Sequence, residues 1–277
     1  MRRKLFVAAL LAAGFAVADA VTNPIQRDFV YGADEDQRFD VYARPGVQGA
    51  PVILLVHGGG WARGDKAMGR VVDNKVAHWL PQGFAIVAVN YRMLPKIDPV
   101  EQARDVARAL AAAQKQAKQW GGDPQKFILM GHSAGAHLIA LLVTAPGMAA
   151  AQGAQPWLGA VLLDSGALDV PEIMSYRHPG LYDRAFGSDP AYWQASSPFH
   201  QLSRSGAPLL VVCSTRRAIA CSQAERFVAK AGRLGTEAEV LRLDMSHGEI
   251  NSQLGAAPDY TAAVDARLQV WLSLPSR

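Results

Sequence analysis

Several features that indicate particular protein classes are scarce in this sequence. It contains two cysteines in 277 residues, and the zinc-binding patterns Cys-x-x-Cys and His-Glu-x-x-His do not occur. The net charge is only +4, and no run of Lys and Arg with interleaved aromatic residues follows residue 20, which argues against a nucleic-acid partner. Internal repeats, low-complexity linkers and later apolar runs long enough to span a bilayer are also missing. We therefore expect no metal site and no nucleic-acid binding.

The first 20 residues have the composition of a secretory signal peptide. The first four carry three positive charges, residues 5–17 are apolar, and Ala18-Asp19-Ala20 forms an A-x-A cleavage site. The apolar run is shorter than the roughly 20 residues that a spanning helix needs, which favours cleavage, after Ala20 or Ala18, over an uncleaved anchor. We predict a secreted or periplasmic protein with no stable membrane association once the leader is removed.

The two cysteines, Cys213 and Cys221, are close together in the chain. Export favours a disulfide over two free thiols. A loop this small contributes roughly 2–3 kcal/mol of stability in the chain-entropy account. The alternative is two buried, unpaired cysteines.

Short apolar runs alternate with helical patterns after residue 50. Half of the residues are hydrophobic, so residues 21–277 are predicted to form a single domain with one sizeable core. Because the runs lack polar alternation, they are typical of strands buried on both faces of a parallel sheet, joined by helices. The predicted strands are 51–56, 85–89, 127–130, 160–163, 209–212 and 240–243, with an antiparallel edge pair at 27–31 and 38–43, and the predicted helices are 100–120, 134–143, 222–234 and 258–274.

Residues 165–206 interrupt this alternation. They are rich in Pro, Ser, His and aromatic residues and show no clear period. An excursion from the carboxyl end of a strand in an open α/β sheet usually covers the site. We therefore interpret this segment as a cap over a pocket, with a passive surface insertion as the alternative.

The sequence GHSAG at 131–135 fits the G-x-S-x-G pattern between a predicted strand and a predicted helix. Its glycines allow the sharp turn that exposes a serine hydroxyl above a sheet, which makes Ser133 the candidate nucleophile. A serine hydroxyl needs a base, and His247 lies between the last predicted strand and the last predicted helix. His57 and His132 flank glycine turns and are interpreted as fixing loops, and His137 as a packed helix residue.

A second glycine-rich motif, HGGGW at 57–61, follows the third predicted strand. Adjacent glycines let backbone N–H groups approach the oxygen of a tetrahedral intermediate closely. We predict that the N–H groups of Gly59, Gly60 and Ala134 form an oxyanion hole. A merely flexible loop is the alternative for the triple glycine.

These motifs carry a family resemblance. HGGGW, GHSAG, VNYR at 89–92 and GGDP at 121–124 resemble the esterase branch of the α/β hydrolases, which includes hormone-sensitive-lipase-like, kynurenine-formamidase-like and feruloyl-esterase-like proteins. FDVYARP at 39–45 and FGSDPAYWQASSP at 186–198 resemble its entry strand and its cap. The resemblance covers nearly the whole chain after the leader. It implies an α/β-hydrolase fold and a serine esterase or amidase without a cofactor.

The sequence departs from this family where the catalytic acid normally lies. The turn after the seventh strand contains no Asp or Glu, and Arg216 and Arg217 stand there instead. An arginine has no acceptor with which to orient a histidine. Either the acid has moved or the site is a dyad. Another hypothesis is that the two arginines meet a negatively charged substrate group, although two solvated arginines are the simpler interpretation.

Asp164, at the end of the sixth predicted strand, is the candidate for a moved acid, since some lipases of this fold resemble that arrangement. Its alternative role is to fix the cap loop by pairing with one of the arginines. Asp244 and Glu249 are rival acids, and Asp169 matches a structural position of the family.

Together these observations predict a serine carboxylic ester hydrolase that acts through an acyl-enzyme on a small or short-acyl ester. An amidase, such as an arylformamidase, would use the same residues. A degenerate hydrolase that serves as a binding protein is the alternative from another class. The natural substrate and the oligomeric state stay open.

Overall fold

The computed structural model describes residues 23–273, so the predicted leader at 1–20 lies outside the described residues. An eight-stranded sheet with the order β1-β2-β4-β3-β5-β6-β7-β8 organises this part of the chain. The strands are β1 (Gln26–Val30), β2 (Arg38–Tyr42), β3 (Ala50–Val56), β4 (Ala85–Val89), β5 (Gly122–His132), β6 (Gly159–Leu163), β7 (Leu209–Ser214) and β8 (Ala238–Leu243). Strands β3 to β8 are mutually parallel, and β1 and β2 form the predicted antiparallel edge. The predicted mostly parallel α/β sheet is therefore confirmed.

Eleven α-helices lie within the described residues. They are α1 (Gly69–Trp79), α2 (Pro99–Gln116), α3 (Ala134–Thr144), α4 (Pro146–Ala150), α5 (Val170–Met174), α6 (Gly180–Phe186), α7 (Pro190–Ala195), α8 (Pro198–Gln201), α9 (Ala218–Arg233), α10 (His247–Ser252) and α11 (Pro258–Ser273), and a 3₁₀ turn (Ala117–Trp120) follows α2. The four predicted helices are confirmed as α2, α3, α9 and α11. Between residues 23 and 273, no helix combines the length and the apolar character that crossing a membrane requires.

Two apolar layers cover the two faces of the sheet. On β3, Val52 and Leu54 belong to the layer packed by α2, α3 and α9. Ile53 and Leu55, which alternate with them, belong to the layer packed by α1 and α11. Because both faces are buried, the strands read as continuous apolar runs, which is why their positions were predictable.

The predicted excursion at 165–206 contains four short helices, α5 to α8, although its sequence shows no clear period. The longest, α6, has seven residues. Helices of this length are too short to show a 3.6-residue period in sequence. Three of them, α5, α7 and α8, begin with proline at the first or second position, where its missing N–H costs nothing.

The carboxyl ends of the parallel strands align at one edge of the sheet. The N–H of Ser133, just past β5, donates to Leu163 O (2.9 Å), and the N–H of Asp164, just past β6, donates to Val212 O (2.8 Å). The ladder therefore continues one residue beyond each strand. It fixes the height at which the first residues of the following loops leave the sheet.

Candidate active site

Ser133 occupies a strained turn between β5 and α3. Its backbone has φ 55° and ψ −117°, a region that residues other than glycine rarely adopt. The flanking glycines are required by contact, because a Cβ on Gly131 would lie 2.6 Å from the carbonyl of Gly135, and a Cβ on Gly135 would lie 2.3 Å from Val56 O. The G-x-S-x-G spacing thus lets strand and helix meet closely while the serine side chain faces outward.

Ser133, His247 and Asp164 lie in one hydrogen-bonded chain. His247 Nε2 is 3.0 Å from Ser133 Oγ, and His247 Nδ1 is 2.6 Å from Asp164 Oδ2. Asp164 is fully buried, and its other carboxylate oxygen accepts the N–H of Ser214 at 3.0 Å. With Nδ1–H donating to the carboxylate, Nε2 is free to accept the serine proton.

His247 is positioned by a helix cap and by a hydrogen bond to its own carbonyl. It is the first residue of α10, whose N-cap Ser246 forms a capping box with Glu249. The carbonyl of His247 accepts a hydrogen bond from His132 Nε2 (2.9 Å). Burial, and then the neighbouring His247, lower the pKa of His132 to about 3. A neutral His132 is therefore a fixed donor, which is the loop-fixing role expected for it.

Arg217 converges on the same carboxylate as His247. Its Nη1 donates to Asp164 Oδ2 at 2.6 Å and to the Asp164 carbonyl at 3.1 Å, and it lies 2.9 Å from His247 Nδ1. Burial alone raises the pKa of Asp164, but the hydrogen bond with His247 and the charge of Arg217 outweigh burial and lower it to about 2. The carboxylate is thus held ionised. Asp164 makes both contacts that the sequence suggested, one with the histidine and one with an arginine.

The rival acids lie elsewhere. The side chain of Asp244 is 82% exposed and pairs with Arg216 (2.8 Å). Glu249 accepts the N–H of Ser246 (2.7 Å) in the capping box, and Asp169 caps the N-terminus of α5. Within residues 23–273, Asp164 is the acidic residue that contacts His247.

The glycine motif forms a tight loop beside Ser133. Gly59 and Gly60 have φ values of 127° and 60°, and a Cβ on Gly59 would meet Arg63 O at 1.7 Å. No acceptor among residues 23–273 takes a hydrogen bond from the N–H groups of Gly59, Gly60 or Ala134. Unpartnered N–H groups beside a nucleophile are what an oxyanion hole requires, and the oxyanion role of these three stays a prediction.

The VNYR motif supports this loop, a role that sequence reasoning did not assign. Tyr91 stacks on His57 with ring centroids 4.6 Å apart, and its hydroxyl donates to His57 O at 3.0 Å. Asn90 accepts the N–H of Lys66 (2.6 Å) and donates to Asp65 (2.8 Å). Polar residues directly after a buried strand were the available signal, because strand ends meet at the same edge.

Trp61 and His137 connect the loop to the cap. Trp61 Nε1 donates to His137 Nδ1 (3.2 Å), and His137 Nε2 donates to Ser196 O (2.8 Å). Burial lowers the pKa of His137 to about 4, so the ring is neutral and can accept at one nitrogen and donate at the other. His137 is packed in its helix as expected, but it also ties the nucleophile helix to two neighbouring segments.

Backbone strain is concentrated at this site. Among the described residues, four non-glycine residues have positive φ: Asp28, Trp61, Ser133 and Asp164. Three of these four lie at the site: Trp61 in the glycine motif, Ser133 in the nucleophile turn, and Asp164 beside His247. Each such conformation costs roughly 1–3 kcal/mol and persists only where surrounding contacts enforce it.

A disulfide joins Cys213 and Cys221, the pair predicted from the sequence. It connects the end of β7 to the first turn of α9 and spans the turn that carries Arg216 and Arg217. The hypothesis that both arginines meet a substrate anion does not fit this geometry. Arg216 pairs with Asp244 and Glu249, and Arg217 pairs with Asp164.

A cavity of about 730 Å³ opens above Ser133. The cap contributes part of its wall through Pro179, Leu181, Tyr182 and Arg184, so the excursion does cover the site. Within residues 23–273, no group of three or more His, Cys, Asp or Glu side chains is arranged to hold a metal ion.

The chain is similar to known esterases. The BD-FAE family matches residues 39–230. Esterase LipC of Mycobacterium tuberculosis (strain ATCC 25618 / H37Rv) is 30% identical over 222 residues, which cover 74% of this chain and 54% of LipC; the chain thus spans about half the length of this relative. Among solved structures, esterase B from Lactobacillus Rhamnosis (HN001) has a TM-score of 0.73 at 19% identity, covering 90% of this chain and 84% of that chain. Thermogutta terrifontis esterase 2 phosphonylated by sarin has a TM-score of 0.73 at 20% identity, covering 90% and 96%. These likenesses confirm the α/β-hydrolase fold.

Proposed function

Because this chain belongs to the BD-FAE family of α/β-hydrolase esterases, we propose that it is a serine carboxylic ester hydrolase that acts through an acyl-enzyme. One observation carries the proposal: the His247 ring lies within hydrogen-bond distance of Ser133 Oγ (3.0 Å) and of the Asp164 carboxylate (2.6 Å). The feature that favoured a degenerate binding protein was the missing acid after β7. Asp164, just past β6, supplies a carboxylate 2.6 Å from His247 Nδ1, which favours an enzyme over that alternative.

In the acylation step, Ser133 Oγ attacks the ester carbonyl carbon while His247 Nε2 takes the hydroxyl proton. The carbonyl oxygen becomes an oxyanion, which accepts hydrogen bonds from the N–H groups of Gly59, Gly60 and Ala134. The bond to the leaving oxygen then breaks, and His247 returns the proton to that oxygen. The products are an alcohol and an acyl ester on Ser133.

Deacylation repeats these steps with water as the nucleophile. His247 Nε2 removes a proton from water as its oxygen attacks the acyl carbon, and the same N–H groups hold the second oxyanion. Collapse breaks the bond to Ser133 Oγ, which recovers the proton from His247. The carboxylic acid leaves, and the enzyme returns to its starting state.

Asp164 acts by holding His247 in the productive tautomer. Because the carboxylate accepts from both Nδ1 and Arg217 Nη1, it stabilises the imidazolium formed in each step and offsets the nearby guanidinium charge. Arg217 cannot donate to Nδ1 while that nitrogen carries its proton. The two donors therefore share one oxygen, and Arg217 fixes where that oxygen lies.

We also propose a small or short-acyl ester as substrate and export of the protein. The pocket wall combines apolar side chains, Met68, Val71 and Leu181, with the polar site. LipC and the two solved neighbours carry the name esterase, which supports ester substrates here.

The A-x-A leader and the disulfide support an oxidising compartment. Intact mass of protein from the culture medium or periplasm would reveal cleavage; a mass that includes residues 1–20 would count against it.

The function is tested by hydrolysis of p-nitrophenyl acetate, butyrate and octanoate. Purified protein should hydrolyse the shorter esters, and Ser133→Ala should abolish the activity, whereas the exposed control Ser203→Ala should retain it. A Ser133→Ala variant that turns over as fast as the parent would overturn the proposed nucleophile. A parent inactive on all three esters would overturn the esterase assignment.

A further inference from the structure

The cavity above Ser133 has a wall of one charge sign. Four arginines line it, and none of the described lining residues is Asp or Glu. The four are Arg63, Arg70, Arg184 and Arg217. A concave site with charges of one sign focuses its field and raises the local concentration of oppositely charged ligands.

Arg217 differs from the other three because its charge is balanced by Asp164, 2.6 Å away. For Arg63, Arg70 and Arg184, no carboxylate oxygen within residues 23–273 lies within 4.0 Å of a guanidinium nitrogen. The positive charge of the wall is therefore not neutralised internally.

Asp65 and Asp183, which are close in sequence to Arg63 and Arg184, are engaged elsewhere. Asp65, two residues after Arg63, accepts hydrogen bonds from Ala67 N (2.7 Å) and Asn90 Nδ2 (2.8 Å). Asp183, next to Arg184, contacts His178 Nε2 at 2.9 Å. Two acids that could have balanced the wall are thus held by other partners.

Two of the arginines belong to segments that contact the glycine loop at 57–61. The carbonyl of Arg63 packs against Gly59, where a Cβ would approach it to 1.7 Å. On the cap side, Leu181 lies 4.0 Å from the Cβ position of Gly60, and Arg184 follows Leu181 by three residues in α6. One of these two cavity-lining arginines thus belongs to the segment after the glycine loop and the other to the cap helix beside it.

We infer that the preferred substrate is an ester that also carries a carboxylate, which Arg63, Arg70 and Arg184 bind while apolar wall residues contact its hydrocarbon part. This inference rests on the proposed esterase function and adds the substrate class. A guanidinium suits this role because its fork of donors matches a carboxylate in geometry. The carboxylate can belong to the acyl part or to the alcohol part of the ester.

Two matched substrate pairs separate these possibilities. Monoethyl adipate against ethyl hexanoate places the charge on the acyl part, and 4-acetoxybenzoate against 4-methylphenyl acetate places it on the alcohol part. The measured quantity is the ratio of kcat/KM, charged over neutral, by pH-stat. One arginine charge about 6 Å from the substrate carboxylate in water changes this ratio about threefold. Three arginines should therefore favour the charged ester of one pair over its neutral partner by about 30-fold.

The variants Arg63→Gln, Arg70→Gln and Arg184→Gln should each lower that ratio about threefold, and the triple variant should bring it near one. Arg233→Gln, at the exposed end of α9, removes the same charge away from the cavity and should leave the ratio unchanged. Raising the salt concentration from about 0.1 M to 1 M should also lower the parent's ratio, because the screening length falls from about 10 Å to 3 Å.

The outcomes are distinguishable. If the parent hydrolyses the neutral esters but shows no charged preference in either pair, or the triple variant keeps the parent's ratio, the inference is wrong and the proposed function stands. If the parent hydrolyses none of the four esters, the proposed function fails and the inference falls with it.

Discussion

Replacement of Asp164 by Asn is the most informative single change at this site. The carboxylate accepts three hydrogen bonds, from His247 Nδ1, Arg217 Nη1 and Ser214 N. An amide has one acceptor oxygen and one donor group, so it cannot satisfy all three partners in either orientation.

Each orientation of the amide damages the site differently. If its oxygen faces His247, its NH₂ group opposes the N–H of Ser214, which costs about 1–3 kcal/mol for an unsatisfied buried donor. If its NH₂ group faces His247, Nδ1 must act as the acceptor and Nε2 then carries a hydrogen, so His247 cannot take the Ser133 proton. In both cases the imidazolium loses its counter-charge, while Arg217 remains beside it.

We expect kcat for p-nitrophenyl butyrate to fall by about 10³–10⁴-fold, since loss of an adjacent charge at effective dielectric 20 amounts to roughly 4 kcal/mol. Asp244→Asn is the matched control, because Asp244 pairs with exposed Arg216 and does not contact His247. Initial rates under saturation separate kcat from KM, and circular dichroism checks folding.

A folded Asp164→Asn variant within about tenfold of the parent's kcat would refute the role given to Asp164. An Asp244→Asn variant with the larger loss would indicate that the acid lies on the other side of the turn.

Three further predictions concern stability. The folded-state pKa of Asp164, about 2, lies below its ordinary value of 3.8. Its contribution to the free energy of unfolding is therefore present above about pH 4 and is lost as the pH falls toward 2. In urea titrations, Asp164→Asn should flatten the dependence of the unfolding free energy on pH across that range. The double variant Cys213→Ala/Cys221→Ala should lower the unfolding free energy by roughly 2–3 kcal/mol, because the bond closes a short loop in the unfolded chain. Burial lowers the pKa of Lys75 to about 7 from its ordinary 10.5. Between these pH values the unfolded chain binds one proton more than the folded chain, so Lys75 makes the unfolding free energy rise with pH from 7 toward 10. Lys75→Met should remove that rise.

Each has a clear contrary result. An acid-stability curve of Asp164→Asn that parallels the parent's would show that another group dominates. A double cysteine variant as stable as the oxidised parent would mean that the bond does not constrain the unfolded chain. A Lys75→Met variant that keeps the parent's slope above pH 7 would show that Lys75 is charged in the fold.

Sequence reasoning could identify the parts of the candidate site whose residues are neighbours along the chain. Ser133 and the glycine loop each combine a strand end, a turn and its glycines within a few residues, so local chemistry identifies them. Asp164 was harder, because its contact with His247 joins residues 83 positions apart, and only the alignment of strand ends brings them together.

Other features carried no clear local signal. Helix α1 was missed because its buried side includes β-branched Val71, Val72 and Val76 together with a fully buried Lys75, a pattern that weakens a helical period. The bridging role of His137 depends on Trp61 and Ser196, which lie on separate segments. The pairing of Arg216 and Arg217 with carboxylates likewise depends on tertiary contacts.

The most direct test of Ser133 as an activated nucleophile is labelling with a fluorophosphonate, which modifies a serine hydroxyl that a neighbouring base activates. Peptide mass spectrometry of the labelled protein should show one phosphonyl adduct, on Ser133, that forms rapidly in the parent and is lost in both Ser133→Ala and His247→Ala. An unmodified Ser133 in folded parent protein, or an adduct that forms equally fast without His247, would contradict the account.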